Sequence, residues 1–417
     1  MNSSTNPNPR PAARFTLFVA ASKLHDPQAL RRITRAYTDS LRALGAQDWE
    51  PGAAPPRVVF VATGGTERQV LDCGPFDARE PLLIVAHPGH NSLPAALEVL
   101  ARLQQTGVRG RIFYVRGSDD ADAWRQLAGA IGDGTVRRAL IESRIGLVGE
   151  PSDWLVASSP AAGIVRSVWG PTVVPISLET ILSEPDAQAA TAGDAVARDF
   201  HREAAALVEP AESDLPAAGR VHALLRRVVD AERLDAVAVR CFDLVVRRRT
   251  TGCIALAQLN DEGTIAGCEG DLVATVAMLW LHRMLGQVPW MANPSRVDLD
   301  RGVLSLAHCT VPRSLGRDYR LRSHFESGLG VGVQGTLPTG PVTLVRLGGA
   351  RVELLRALDG ELVRNTDHAD LCRTQVEVEI GRAALEDLLV RPLGNHMVMV
   401  FGHHAAVLRR WHEAMIV

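Results

Sequence analysis

Gly267-Cys268-Glu269-Gly270-Asp271 runs directly into the apolar stretch Leu272-Val273-Ala274-Thr275-Val276-Ala277-Met278-Leu279-Trp280-Leu281. Two carboxylates therefore stand where a buried strand gives way to a buried helix. Carboxylates seldom enter such surroundings without a partner, because desolvating an ion costs far more than the backbone gains. A metal cation or a catalytic task supplies one. Asp271 also has a structural explanation as the N-cap of the helix that follows. Glu269 precedes the cap and lacks that explanation, although a helix N-terminus does favour nearby negative charge. Glu269 reads as functional, and Asp271 stays divided between cap and catalyst.

The β-to-α rhythm extends on the N-terminal side of this stretch. Asp235–Arg240 and Gly252–Ala257 read as buried strands, preceded by a long amphipathic helical region from about 187 to 230. Arg144–Gly149 and Val173–Ile176 open this second alternation, and the helix Leu272–Leu285 closes it. Earlier still, Arg57–Thr63, Pro81–Ala86 and Arg111–Val115 are short apolar runs bounded by turn residues, as buried parallel strands are. Ser92 is a suitable N-cap for the helix after the second of them, with Pro94 tolerated in its first turn. From about 300 the rhythm changes. Gly302–Cys309, Tyr319–Glu326, Val331–Thr336, Pro341–Arg346, Val352–Ala357 and Thr374–Ile380 alternate with Gly/Pro/Asp turns, and little helix intervenes before Ala405–Met415. The fold class is α/β: two Rossmann-like parallel-sheet domains followed by a mostly antiparallel, barrel-like β domain. The expected division is a loose tail at 1–13, a first domain at 14–143, a second at 144–298 carrying Glu269, and a third at 299–417.

Composition narrows the function. With 417 residues, 46% of them apolar, the chain can fill two or three cores. A net charge of −2 without a basic block argues against nucleic acid or an anionic membrane surface as partner. No apolar run approaches the roughly 20 residues needed to span a bilayer, and Met1–Arg14 lacks the apolar core of a signal peptide. Six scattered cysteines without a C-x-x-C pair suit a reduced cytosol. Lys23 is the single lysine among 45 basic residues. Schiff-base and pyridoxal-phosphate chemistry are thus excluded unless Lys23 serves them.

Other candidates carry less. Gly64-Gly65-Thr66-Glu67 lacks a full phosphate-cradle spacing and reads as a β-α turn. His87 and His90 lie at a strand's C-terminal end, where loops bind ligands or simply face solvent. His308 shares a strand face with Leu304 and Leu306 and points to a core or a cleft. His396 stands in the turn after Gly394-Asn395, and His403-His404 has the look of a surface pair. Glu269, His308 and His396 together offer oxygen and imidazole ligands that suit Mn²⁺ or a similar divalent ion better than a thiolate-bound zinc.

Several of these segments carry a resemblance. Cys253–Asp261, Gly267–Asp271, Ala307-His308-Cys309-Thr310 and Gly394-Asn395-His396, with Asn91–Ala95 and Gly149–Leu155, resemble the L-fucose isomerase and L-arabinose isomerase superfamily, most of all its short fucose-isomerase-like branch. The resemblance implies a Mn²⁺ site between the second and third domains, a carbohydrate-like substrate, cytoplasmic location and a homo-oligomer. It gives Glu269 the role of metal ligand and acid/base, His396 that of the C-terminal metal histidine, and His308 a place near the metal. One departure stands out. Where the sugar isomerases place a second acidic ligand, this chain has Met291-Ala292-Asn293-Pro294, and Asn293 offers only a neutral carbonyl oxygen. Asp298 could compensate only if the loop returned it. The leading expectation is a Mn²⁺-dependent aldose–ketose isomerase working through an enediolate, with Asp271 as second base or as orienter. The alternatives are a metal-dependent enzyme cleaving or hydrating a carbon–carbon bond beside a carbonyl, and a sugar-binding relative without activity.

Overall fold

The computed structural model describes residues 14–416 apart from 25, 184 and 186; the tail expected at 1–13 lies outside the described residues. The chain divides into two compact units, one up to Arg138 and one from Ala139 onward.

The first unit holds a five-stranded, wholly parallel sheet. Its strands, in spatial order, are Ala46–Asp48, Phe15–Ala20, Val58–Val61, Leu82–Ala86 and Gly110–Tyr114. The two-residue period of a strand sends Val58 and Phe60 into one hydrophobic core and Val59 and Val61 into another on the opposite face. Both faces are covered, which is why these strands read as unbroken apolar runs. Gly64-Gly65-Thr66 forms the turn from Val58–Val61 to the helix Glu67–Leu71, with the Thr66 hydroxyl donating to the Thr63 carbonyl at 2.8 Å. At the expected helix start, Asn91 is the N-cap. Ser92 instead turns inward and donates to the Val61 carbonyl at 2.5 Å.

The second unit contains a four-stranded parallel sheet in the order Ile265–Gly267, Ala236–Val239, Arg144–Val148, Thr172–Ile176. It also contains a closed, antiparallel six-stranded barrel: Trp290–Asp298, Val303–His308, Thr374–Glu379, Leu354–Asn365, Gly340–Gly348 and Met397–Phe401. Between sheet and barrel lies the helix Leu272–Leu285, which packs on strands of both. That position explains its all-round apolar sequence, since both sides of it are core. A small sheet of Gly332–Thr336, Asp318–Arg322 and Ala206–Leu207 completes the unit.

Four sequence expectations are corrected. Cys253–Ala257 is not a strand but the start of the helix Cys253–Asp261; Cys253–Ala257 is buried throughout, so periodicity cannot separate strand from helix there. The region 187–230 is two helices, Ala187–Glu203 and Leu215–Glu232, parted by a short strand and a 3₁₀ turn, with Pro216 in the first turn of the second. A helix at Arg382–Val390 interrupts the β series. The barrel begins at Trp290, ahead of the change of rhythm near 300. No helix among the described residues is long and apolar enough to cross a membrane.

Candidate metal centre

The site grows from a sharp turn. Strand Ile265–Gly267 ends, and Glu269 and Gly270 then adopt left-handed backbone with φ of +61° and +70°. For Glu269 this conformation is uncommon and mildly strained, a condition that clusters at functional sites. Gly270 is required: a Cβ there would lie 2.9 Å from Pro151 Cα as well as face a positive φ. The turn is pinned by Gly270 N–H donating to the Val239 carbonyl at 2.9 Å and Ser152 N–H to the Glu269 carbonyl at 2.9 Å. Asp271 then caps the next helix, its Oδ1 accepting the Ala274 N–H at 2.7 Å.

The turn presents Glu269 to two histidines from the barrel. Glu269, His308 and His396 are all buried, and each offers one ligand atom such that the three atoms lie within 4.8 Å of one another. His396 Nε2 is 3.4 Å from Glu269 Oε1, and its Nδ1 is 2.9 Å from Asp271 Oδ2. His308 comes from the end of strand Val303–His308, with Nδ1 2.7 Å from the Thr310 hydroxyl. Nδ1 also accepts the Thr310 backbone N–H at 3.3 Å. The two imidazoles meet edge to face, 5.6 Å apart. Asn293 lines the same cleft as Glu269, and that cleft encloses about 950 Å³ counted to its open mouth. Asp298 does not return to it: its Oδ1 accepts the Arg301 N–H at 2.9 Å in the turn at the far end of the strand.

Three residues that the sequence reading passed over complete the arrangement. Trp154, half exposed, donates its indole N–H to Glu269 Oε2 at 2.5 Å. Arg346, from strand Gly340–Gly348, is buried and donates to Asp271 Oδ2 (3.3 Å), the His396 carbonyl (3.0 Å) and the Ser158 hydroxyl (2.5 Å). The chain at Gly394 crosses the Arg346 guanidinium too closely for any Cβ, at φ +130°. Trp154 lies in the Gly149–Leu155 segment that carried part of the resemblance. Arg346 and Ser158 had no local signal.

Electrostatics follow from these contacts. Burial opposes ionisation of Glu269, but His396, Trp154 and His308 outweigh it and hold its carboxyl below the usual range. Asp271 is likewise held low against its burial by His396, Arg346 and the Ala274 amide. Burial disfavours a charged His396, yet its hydrogen bond to Asp271 and the Glu269 carboxylate beside it prevail and push it up to about 9. His308, buried and facing His396, is pushed down to about 4.

His396 Nε2 and Asn293 Oδ1 are both buried without a hydrogen-bond partner. Unsatisfied buried polar atoms are rare and call for an explanation such as an ion. One carboxylate, two imidazoles and an amide oxygen fit a divalent cation of the Mn²⁺ type. The Asp271–His396 pair has the form of a carboxylate that orients a metal-binding imidazole. Asp271 itself is fully buried and committed to the Ala274 amide, His396 and Arg346. The other histidines singled out in the sequence have different partners. His404 bonds the Phe401 carbonyl at 2.9 Å and His403 sits 3.3 Å from Glu361. His87, in the first unit, bonds the Ala62 carbonyl at 2.9 Å, and His90 follows it there at φ +56°.

No family model matches the chain. Over 195 residues it is 25% identical to the sulfoquinovose isomerase of Priestia aryabhattai, and it matches that of Priestia megaterium to the same extent. The matched stretch covers 43% of this chain and 42% of each relative, so the chain spans under half the length of the curated relatives it matches.

Proposed function

We propose that this protein is a divalent-metal-dependent isomerase of a sugar or sugar derivative, converting aldose to ketose through an enediolate. The observation that carries the reading is the buried Glu269–His308–His396 cluster, whose Glu269 lines a cleft. The likeness to sulfoquinovose isomerases supports the same reaction class.

Glu269, His308 and His396 would hold the cation, with Asn293 as a neutral fourth donor. A bound Mn²⁺ would polarise the substrate carbonyl and stabilise the negative charge that develops during enolisation. Glu269 is the group placed to move a proton between adjacent carbons, because its carboxylate is ionised and lines the cleft. The Trp154 indole fixes the second carboxylate oxygen, which limits Glu269 to one orientation. Asp271 acts as orienter: it holds His396 Nδ1 and thereby turns Nε2 toward Glu269. Arg346 balances the charge of Asp271 so that the pair can remain buried.

The test is solvent exchange. Mn²⁺-loaded protein is incubated in D₂O with a panel of pentoses, hexoses and sulfosugars, and deuterium is sought at C2. Exchange with at least one sugar, lost in Glu269→Gln, is expected. Absence of exchange across the panel from protein with stoichiometric metal would overturn the reading.

A further inference from the structure

Five of the six cysteines converge on one place. Cys241, Cys253, Cys268, Cys309 and Cys372 line a single narrow chamber beside Glu269 and His308. The chamber shares Phe242, Glu269 and Cys372 with the larger cleft. All five thiols are free, and Cys372 is the most exposed of them. The chamber and the cleft therefore adjoin at Phe242, Glu269 and Cys372. Nothing in the isomerase chemistry above uses the thiols.

Within the chamber one pair is set apart by geometry. Cys241 Sγ and Cys268 Sγ are 2.8 Å apart, closer than ordinary contact between two sulfurs. The residues leave neighbouring parallel strands, Ala236–Val239 and Ile265–Gly267, paired as Ala236 with Ile265 and Ala238 with Gly267. Cys268 directly follows Gly267 and Cys241 stands two residues past Val239, so both lie just beyond the C-terminal ends of these adjacent strands. Reaching a bonded length of about 2.05 Å would require the sulfurs to close by only about 0.8 Å.

We propose that Cys241 and Cys268 form an oxidative modification site, converted to a disulfide by an oxidant of the peroxide class that enters through the thiol-lined chamber. One thiol gives up its proton, its sulfur attacks a peroxide oxygen, the O–O bond breaks, and the departing hydroxide takes up that proton, leaving a sulfenic acid and one water. The second thiol attacks the sulfenic sulfur, forming the S–S bond as the S–O bond breaks and a second water leaves. Two thiols lose two electrons and two protons, and hydrogen peroxide is reduced to two waters. Cys268 directly precedes Glu269, so the linkage is built into the turn that carries the acidic group.

The experiment does not depend on isomerase activity. Reduced full-length protein is treated with hydrogen peroxide while folded, its remaining thiols are alkylated, and the digest is read by mass spectrometry. The expected result is one cross-linked peptide pair containing Cys241 and Cys268, a loss of two hydrogens, and reversal by dithiothreitol. Cys241→Ser and Cys268→Ser should each abolish the cross-link; circular dichroism confirms that each is folded, and Cys241→Ala replaces a variant that is not. Over-oxidation of these cysteines without cross-linking, or a disulfide between any other pair, would overturn the proposal.

Discussion

Replacing Asp271 with asparagine tests the network behind the histidine. The amide has the shape of the carboxylate and can still accept the Ala274 N–H, which Asp271 Oδ1 takes at 2.7 Å. Its other end fails. Where Asp271 Oδ2 now accepts from His396 Nδ1 at 2.9 Å and Arg346 at 3.3 Å, the substituted side chain would present an NH₂ group to two donors. Arg346 is 2% exposed and Asp271 0%, so solvent cannot replace the lost charge. Stranding one member of a buried ion pair costs about 3–5 kcal/mol. His396 can relieve the conflict only by baring Nδ1 toward the amide, which puts its proton on Nε2 and removes a ligand atom. Metal affinity should then fall roughly 10–100-fold, as it does when an orienting partner is lost. Urea unfolding in the presence of a chelator measures the first effect, and calorimetric titration with Mn²⁺ the second. Arg346→Met combined with Asp271→Asn should recover part of the loss, with a coupling of at least about 1 kcal/mol. A single variant that loses under about 1 kcal/mol and binds Mn²⁺ normally would refute the network.

Four further outcomes follow from the same geometry. In Trp154→Phe, Glu269 loses the indole donor, so its pKa rises and the acid limb of the exchange rate should move up by about one pH unit; an unmoved limb counts against the bond. His396 is raised to about 9 when folded against about 6.5 unfolded. Its contribution, about 3 kcal/mol, is therefore complete below about pH 6.5 and lost as pH rises through about 9. Chelator-treated protein should weaken across that window, and His396→Gln should flatten the curve. Gly394→Ala meets both a φ of +130° and the Arg346 guanidinium, and thermal unfolding should register a loss of about 2–3 kcal/mol. Asn293→Asp should tighten Mn²⁺ binding by roughly tenfold; calorimetry that finds no gain would place Asn293 outside the donor set.

The sequence carried much of the architecture because burial leaves a compositional trace. Val58–Val61 and Leu82–Ala86 are apolar on both faces since each face meets a core. The helix Leu272–Leu285 announced itself through its apolar run and Asp271 before it, and Asp271 and Gly286 serve as its caps. The same uniform burial hid the start of the helix Cys253–Asp261, because the apolar Cys253–Ala257 fits strand and helix equally. At the candidate site, Glu269 was legible because a carboxylate stood out against apolar surroundings. Arg346 was not, being one of 44 arginines, and its role depends on a turn 48 residues later that places the Gly394 backbone over it. Sequence spacing has no access to contacts of that kind.

The charges at the site constrain what the missing carboxylate can mean. Asp271 and Arg346 neutralise each other within the protein. At the proposed site Glu269 would then supply the single negative charge among the four donors, with His308, His396 and Asn293 neutral when they ligate. A dication held by such a set leaves one net positive charge, which a second carboxylate would cancel. Neutral sugar gains little from that charge, whereas an enediolate gains much, so the excess favours the intermediate over the substrate. Under the proposed function, weaker metal retention and stronger stabilisation of the intermediate would be two consequences of the same asparagine. Asn293→Asp separates them from a merely inherited loss: tighter Mn²⁺ binding should come with slower deuterium exchange at saturating metal. Tighter binding with faster exchange would mean that Asn293 is a defect in the site, and that its neutrality contributes nothing to the reaction.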